Sequence, residues 1–456
     1  MDRYDVMVIG FGKAGKTLAG ALASRGRRVA LVERDSGMYG GTCINVACIP
    51  TKALNEQALR SAAMGGGDEE RAARYAAAVV SKRALTARLR QKNLAKLVSA
   101  GVEVIDGTAS FVGPLAVSVA AADGTTRELQ ADDVVINTGS RPFVPPIEGL
   151  ATSARAFVSE TMMELDRLPR RLVVIGGGYI GLEFASIWAN FGSDVTIVQD
   201  GQAFVPREDE EVAEVVLESL ERRGITVLRS ARTLSVADGT DESHVSVEVG
   251  GEARDLPADA VLVATGRRPN LEGLHPEAAG VELDERGAIR VDERLRTSAP
   301  HVWAAGDVKG GLQFTYVSLD DARILLSAME GDASRTTANR GAVPYSVFLD
   351  PPFSRVGMTE REAREAGHDV KVARLAAAAI PKAAVLGKTD GMLKAVVDAE
   401  TGHVLGAHLF CAESHELVNL LKLAIDQGIP AATLRDAIYT HPTMTEALND
   451  LFGQVG

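Results

Sequence analysis

The chain has 456 residues, too many for a single hydrophobic core, so about two to four domains are expected. Its composition, 46% hydrophobic and 24% charged, is that of a soluble globular protein, and a net charge of −12 argues against nucleic acid or an anionic membrane as the main partner. No apolar run reaches the ~18 residues of a membrane span, a strand begins almost at once with no room for a leader, and three cysteines point to a reducing, cytoplasmic setting.

Tyr4 to Ile9 reads as a buried strand that runs into Gly10-Phe11-Gly12-Lys13-Ala14-Gly15. An Ala/Leu-rich helix follows to about Ser24, then a strand from Arg28 to Val32 that ends at Glu33. Strand, GxGxxG, helix, strand, acid is a dinucleotide fingerprint. Gly10, Gly12 and Gly15 permit the tight turn and a close approach to a pyrophosphate, and Glu33 can accept a hydrogen bond from a ribose hydroxyl. The same residues satisfy a phosphate-loop pattern through Gly10, Gly15, Lys16 and Thr17. Glu33 favours the dinucleotide reading, as does the lack of an apolar strand ending in an Asp placed for magnesium. Lys13 and Lys16 are then expected to be solvated or near a phosphate.

Gly40 to Lys52, GGTCINVACIPTK, holds Cys43 and Cys48 with four residues between them. Such a pair can open and close as a disulfide, and the start of a helix here would favour a thiolate. Five residues of helix rise about 7.5 Å, more than a disulfide spans, so Cys43 should precede the helix or distort its first turn. A structural disulfide or two inert thiols are the alternatives that the spacing alone leaves open.

Ala53 to about Ala100 is helical in pattern, broken by Gly65-Gly66-Gly67. Short strands over Val102–Val119 lead to an apolar strand that exits through Thr138-Gly139, and Arg141-Pro142 with Pro145-Pro146 marks a linker. Arg171–Ile175 then enters a second fingerprint, Gly176-Gly177-Gly178-Tyr179-Ile180-Gly181, about 165 residues after the first. Two fingerprints suit a flavin plus a nicotinamide. The ribose-reading position is Gln199, followed by Asp200, with Arg207 the nearest downstream arginine; this leans to NADH and leaves NADPH open. Val261–Gly266 repeats the strand-to-Thr-Gly exit, and Thr297–Val308 ends in Gly306-Asp307, where an Asp can accept from a polyol.

From about Val343 strand-like stretches come close together, at Ser346–Leu349, Val370–Leu375, Met392–Val397 and Val404–Phe410, with helices near His415–Gln427 and Ala432–Ile438. This predicts an antiparallel sheet flanked by helices. It ends in His441-Pro442-Thr443-Met444-Thr445-Glu446, a candidate His–carboxylate pair for acid–base work. His408, Cys411, His415 and Glu416 are read as a strand-to-helix corner, and no metal site is expected.

The order of these motifs, flavin fingerprint, CxxxxC, nicotinamide fingerprint, Gly-Asp and HPxxxE, resembles the class I pyridine nucleotide–disulfide oxidoreductases over essentially the whole chain. The wording GFGKAGKT, MYGGTCIN, PREDEE, GGLQFTYVSLDDAR and PYSVFLDPPFSRVGMTE is similar to the branch of that family associated with reactive-chlorine resistance, NAD(P)H-dependent reduction of hypothiocyanous acid and copper(II) reduction. The resemblance implies an α/β fold with two Rossmann-like domains, for FAD and NAD(P), and a C-terminal α+β dimerisation domain. Its expected boundaries are 1–145 for the first part of the FAD domain, 146–270 for the NAD(P) domain, 271–340 for the second FAD part and 341–456 for dimerisation.

The resemblance also implies residue roles. Cys48 lies against the flavin as the charge-transfer thiolate and Cys43 is the outward, interchange thiol. Lys52 approaches the flavin and pairs with Glu183, and Tyr179 covers the flavin face where nicotinamide enters. Gly41, Thr42, Thr138, Gly139 and Asp307 join the FAD site, and Gly178, Gly181, Gln199 and Gly266 the nicotinamide site. His441, held by Glu446, serves the other subunit of a homodimer. The expected activity is reduction of a small oxidant, hypothiocyanous acid foremost. Dihydrolipoamide dehydrogenase, a copper reductase and a flavin-bound redox sensor are the alternatives. Two departures stand out. Ala47 replaces the usual Gly before the second Cys, and the chain ends FGQVG without the Cys pair of mercuric reductases, which argues against mercury as substrate. No metal-binding domain is expected ahead of Tyr4.

Overall fold

A computed structural model describes residues 2–455. The chain divides into two compact units: Met1–Ala53 with Ala78–Phe143 and Gly266–Arg340, and Leu54–Ala77 with Val144–Thr265 and Gly341–Gly456. No helix among the described residues is long and apolar enough to cross a membrane.

The first unit is built on a sheet in the order 103–106, 29–33, 2–9, 126–136, 116–120, 108–113, with Val302–Ala304 added in parallel to Thr126–Ile136. The strands nearest Asp2–Ile9 run parallel, with Val6 opposite Val29 and Asp133. Being buried on both faces, they read as continuous Val, Ile and Leu. Helix α1 (Lys13–Ala23) packs Leu18, Ala19 and Leu22 into one of the flanking cores. Beyond the next strand come α2 (Thr42–Asn45), α3 (Cys48–Met64) and α4 (Asp68–Ser99), the last two separated by the triple-glycine stretch as the pattern predicts.

The second unit repeats the scheme. A parallel sheet in the order 226–228, 194–198, 171–175, 260–263, 156–158 carries helix Tyr179–Phe191 after its second fingerprint. An antiparallel three-stranded sheet over residues 231–258, unread in the sequence, packs Val236, Val245 and Val247 against Val173 and Val261. The C-terminal sheet is antiparallel throughout, in the order 345–347, 353–357, 404–410, 392–398, 370–376. Its strand Phe353–Gly357 is absent from the sequence reading because Pro351, Pro352 and a charged Arg355 look like a loop. In the fold Arg355 is 8% exposed and its charge is met by Glu362 and the Arg207 carbonyl.

Candidate active site

The redox segment is held by backbone contacts that glycine alone permits. Gly41 has φ +83°, and a Cβ there would fall 2.7 Å from the Gly12 Cα, so the loop lies directly on the first fingerprint. Cys43 sits on the isolated turn α2, Val46 breaks the chain direction, and Cys48 opens α3. The span problem is thus solved by placing Cys43 ahead of the longer helix. Asn45 fixes this break: its Nδ2 donates to the Tyr39 and Gly41 carbonyls at 3.0 and 2.9 Å, and its Oδ1 accepts from Arg90 Nε at 3.0 Å. Ala47 has no left-handed backbone, and its carbonyl accepts from Thr51 N at 3.0 Å and Thr51 Oγ1 at 2.6 Å. An alanine therefore costs no strain at this helix start.

Both sulfurs are half-buried thiols joined by a Cys43–Cys48 hydrogen bond, and Cys48 Sγ lies 3.5 Å from Thr315 Oγ1 at the head of helix Thr315–Met329. The Cys43 thiol is pushed up, not down. The hydrogen bond to Cys48 and then burial are the causes, opposed by Thr315 and Lys16. Cys43 lies on a single four-residue turn, too short to gather much dipole, whereas Cys48 is the residue that opens the 17-residue helix α3. Of the two settings expected for Lys16, solvent or the neighbourhood of a phosphate, solvent is not the one found: its ammonium donates to the Gly40 carbonyl and to Asn93 Oδ1, each at 2.8 Å.

Around the first fingerprint, Gly10 has φ +103°, and a Cβ on it would meet the Asn137 carbonyl at 2.4 Å. Glu33 accepts from Phe11 N at 2.9 Å, and burial pushes its carboxyl up. Asn137, which sequence reasoning missed, ties the site together. Its Oδ1 accepts from Gly15 N at 2.9 Å and its Nδ2 donates to the Ala305 carbonyl at 2.7 Å. Asp307 Oδ2 accepts from Ser140 Oγ at 2.7 Å. Gly306 N donates to the fully buried Asp321 at 2.9 Å, and Asp321 also faces Arg340 at 2.6 Å and Lys309 at 3.4 Å. The Thr138 hydroxyl is buried without a partner, and beside Gly139 there is open space. A glycine-lined turn, an acid at the strand end, an orphaned hydroxyl and open space fit a dinucleotide such as FAD.

The second fingerprint has the same geometry. Gly176 has φ +111°, and a Cβ on it would meet the Ala264 carbonyl at 2.5 Å, while Gly178 caps the helix with nothing within 4 Å. That open helix start fits a nicotinamide dinucleotide. Gln199 leans over Gly177 and donates Nε2 to the Gly201 and Ala203 carbonyls at 3.0 and 2.7 Å. Tyr179 donates to the buried Glu208, which also accepts from Tyr345 at 2.7 Å; burial raises the Glu208 carboxyl. Glu208 and Tyr345 carried no signal in the sequence, being 137 residues apart. Glu183 Oε1 accepts from Phe348 N at 2.9 Å. Lys52 lies half-buried on α3, Thr42 opens α2, and Gly181 and Gly266 lie at the helix start and the strand exit.

Near the C-terminus, His441 Nδ1 is 2.7 Å from Glu446 Oε2. The His441 side chain is 70% exposed, whereas Glu446 is 17% exposed. With Nδ1 engaged by a carboxylate, Nε2 is the ring nitrogen outside that contact. Cys411 is buried, its thiol pushed up to about 12 by burial, and His408 is buried and pushed down to about 4. Among the described residues no three His, Cys, Asp or Glu side chains gather to hold a metal ion.

Comparison with known proteins matches residues 4–322 to the family described as pyridine nucleotide-disulphide oxidoreductase, and residues 343–452 to its dimerisation domain. The chain is 46% identical to a probable pyridine nucleotide-disulfide oxidoreductase, RclA, of Escherichia coli K12, covering 100% of both chains. It is 34% identical to a mercuric reductase of Staphylococcus aureus, over 98% of this chain and 81% of that one. It is also 34% identical to a dihydrolipoyl dehydrogenase of Mycobacterium tuberculosis, over 100% and 99%. Among solved structures it is similar to the Cu(II) complex of the HOCl-induced flavoprotein disulfide reductase RclA from Escherichia coli, with TM-score 0.94, 45% identity and 100% of both chains covered.

Proposed function

Because the chain belongs to the pyridine nucleotide-disulphide oxidoreductase family, we propose that it is a flavoprotein reductase that passes electrons from NAD(P)H through Cys43 and Cys48 to a small oxidant. Hypothiocyanous acid is the proposed substrate and defence against reactive chlorine the proposed role. The observation that carries this reading is the hydrogen-bonded Cys43–Cys48 dithiol, on a loop seated on the first dinucleotide fingerprint. Support for the role comes from the 46% identity to RclA and from the HOCl-induced protein of similar structure.

Gly10, Gly12, Gly15, Glu33, Gly41, Thr42, Lys52, Thr138, Gly139, Gly306 and Asp307 are assigned to FAD, which when bound supplies a two-electron relay from the nicotinamide to the disulfide. Gly176, Gly178, Tyr179, Gly181, Gln199 and Gly266 are assigned to the nicotinamide nucleotide, and Glu183 to the support of Lys52. NADH is the proposed donor, since Gln199 commits its amide to loop carbonyls rather than to an arginine-lined phosphate pocket. The four-part division at residues 145, 270 and 340 is part of the same reading.

In the reduced pair, the Cys43 thiolate attacks the sulfur of hypothiocyanous acid. An S–S bond forms and hydroxide leaves, taking a proton to become water. Cys48, deprotonated, then attacks Cys43; the disulfide re-forms and thiocyanate leaves with the electron pair. The sum is one hypothiocyanous acid and one NADH giving thiocyanate, water and NAD+. His441 of one protomer, oriented by Glu446, handles the proton at the partner subunit's Cys43. A homodimer is supported by the dimerisation-domain match and by apolar exposure within it, Ile438 at 99% and Val385 at 70%.

The test is steady-state NADH and NADPH oxidation with hypothiocyanous acid, for wild type and Cys43→Ser. Turnover abolished by the substitution is expected, and the faster coenzyme identifies the donor. Turnover indifferent to Cys43 removes the assignment. A dihydrolipoamide dehydrogenase is the second reading, favoured by the full-length 34% identity, and dihydrolipoamide with NAD+ decides for it. Copper(II) reduction is proposed only as a side activity of the dithiol. A redox sensor would show slow turnover throughout and partner capture by Cys48→Ser.

A further inference from the structure

Tyr179 is the first residue of helix Tyr179–Phe191, directly after the second fingerprint, and the chemistry above makes no use of the two groups that hold its ring. Its hydroxyl donates to Glu208 Oε1, and the Tyr345 hydroxyl donates to the same oxygen at 2.7 Å. The two hydroxyl oxygens are 3.4 Å apart and the ring centroids 5.6 Å, with 33° between the planes. An ionised carboxylate only accepts, so both phenol protons are committed to it. Hydrogen bonds to an ionised acceptor are about twice as strong as neutral ones.

Glu208 is 4% exposed, and its Oε2, without a hydrogen-bond partner among the described residues, faces the Arg355 guanidinium at 3.7 Å. Burial raises this carboxyl, and the two phenols and Arg355 oppose the rise. The acceptor is fixed from both sides along the chain. Arg355 donates to the Arg207 carbonyl just ahead of it. Asp209, just after it, caps helix Glu210–Arg222 and accepts from the buried Lys394 at 2.9 Å. Arg355 and Lys394 both stand on the C-terminal sheet. When the contact opens, the side chain that moves is therefore Tyr179. The pocket beside the contact has a volume of about 10 Å³ and is lined otherwise by apolar side chains such as Leu182, Val347 and Phe353. It has room for at most one water and gives that water too few polar partners to stand in for a phenol.

We propose that Glu208 and Tyr345 are positioning residues for coenzyme entry: the Glu208 carboxylate latches the Tyr179 ring in its resting place, and a nicotinamide that takes that place must first release the Tyr179 hydroxyl. Only the released fraction of the protein binds, so the latch weakens the apparent affinity for the coenzyme. Hydride transfer follows release and is not slowed by it. Tyr345 makes release affordable. It stays on Oε1 when Tyr179 leaves, so the buried charge keeps one donor and the opening costs one hydrogen bond instead of a bare carboxylate. The inference rests on the reading that places Tyr179 over the nicotinamide site.

The test is anaerobic stopped-flow reduction of the flavin-loaded enzyme by NADH and by NADPH, which separates the coenzyme Kd from the limiting rate of flavin bleaching. Tyr179→Phe keeps the ring and removes the latch. It should lower the Kd roughly tenfold and leave the limiting rate within about twofold of wild type. Glu208→Gln, a neutral acceptor of the same shape, should lower the Kd less, and adding it to Tyr179→Phe should change nothing further. Tyr345→Phe should act in the opposite sense and raise the Kd about threefold, a sign that general loosening of the fold does not give. An unchanged or higher Kd in Tyr179→Phe overturns the latch, as does a lower limiting rate there, which assigns the hydroxyl to hydride transfer. Tyr179→Phe alone decides this if Glu208→Gln does not fold. An equal or lower Kd in Tyr345→Phe overturns the part given to Tyr345. Failure of the underlying reading looks different: Tyr179→Ala that changes neither Kd nor rate removes Tyr179 from the nicotinamide site, and no bleaching of wild type by either coenzyme removes the reductase itself.

Discussion

Asn137→Ala should loosen the flavin cradle without touching a fingerprint glycine. The Asn137 side chain is 4% exposed and makes two hydrogen bonds across long stretches of sequence, from Gly15 N at 2.9 Å and to the Ala305 carbonyl at 2.7 Å. Alanine removes both and leaves a buried N–H at Gly15 and a buried carbonyl at Ala305 unmatched. Each orphan costs about 1–3 kcal/mol. Water entering the vacated space recovers part of that, so a loss of about 3 kcal/mol in unfolding free energy is expected. This is a large share of the ~5–15 kcal/mol that holds a typical protein folded, yet it leaves the chain folded. Urea unfolding of the apoprotein reads this loss. Flavin retention reads a second one, because a tenfold weaker affinity removes about 1.4 kcal/mol of the stabilisation that excess FAD provides. An apoprotein within about 0.5 kcal/mol of wild type that also retains its flavin would refute the strut role of Asn137.

Polar groups elsewhere in the chain give two more tests. His441→Ala should lower turnover about a hundredfold or more, the usual worth of a positioned acid–base group, and Glu446→Gln should lower it less, by loosening the imidazole. Wild-type rates in His441→Ala exclude an acid–base role. His408 predicts a pH effect on stability. It is buried between Arg355 and Lys394, and burial lowers it from 6.5 to about 4. Between those values the unfolded chain binds the proton and the folded one does not. Stability is therefore full above about pH 6.5 and falls as pH drops towards 4, by about 3 kcal/mol in all. Denaturant unfolding along that pH range should show the slope for wild type and a flatter one for His408→Leu; equal slopes remove His408 as its source.

The sequence by itself determined what short-range chemistry determines. A glycine turn between an apolar strand and a helix has one geometry whatever lies around it, so both fingerprints were legible, as were the helices split at Gly65–Gly67 and the strands Arg171–Ile175 and Asp194–Val198. His441 and Glu446 lie five residues apart, so their contact too was foreseeable from spacing. Tertiary structure decided what depends on sheet register and helix placement. Asn137 reaches Gly15 and Ala305 because Thr126–Ile136 pairs with both Asp2–Ile9 and Val302–Ala304. Lys16 meets Gly40 and Asn93 because α4 returns past the redox loop, which makes a half-buried cation of a lysine expected in solvent or near a phosphate. Glu208 lies against Tyr179 and Tyr345, partners that no local pattern joins. Periodicity and turn chemistry act over a few residues, whereas a buried charge or amide is placed by whichever distant backbone the fold brings to it, and only the folded chain reveals which one that is.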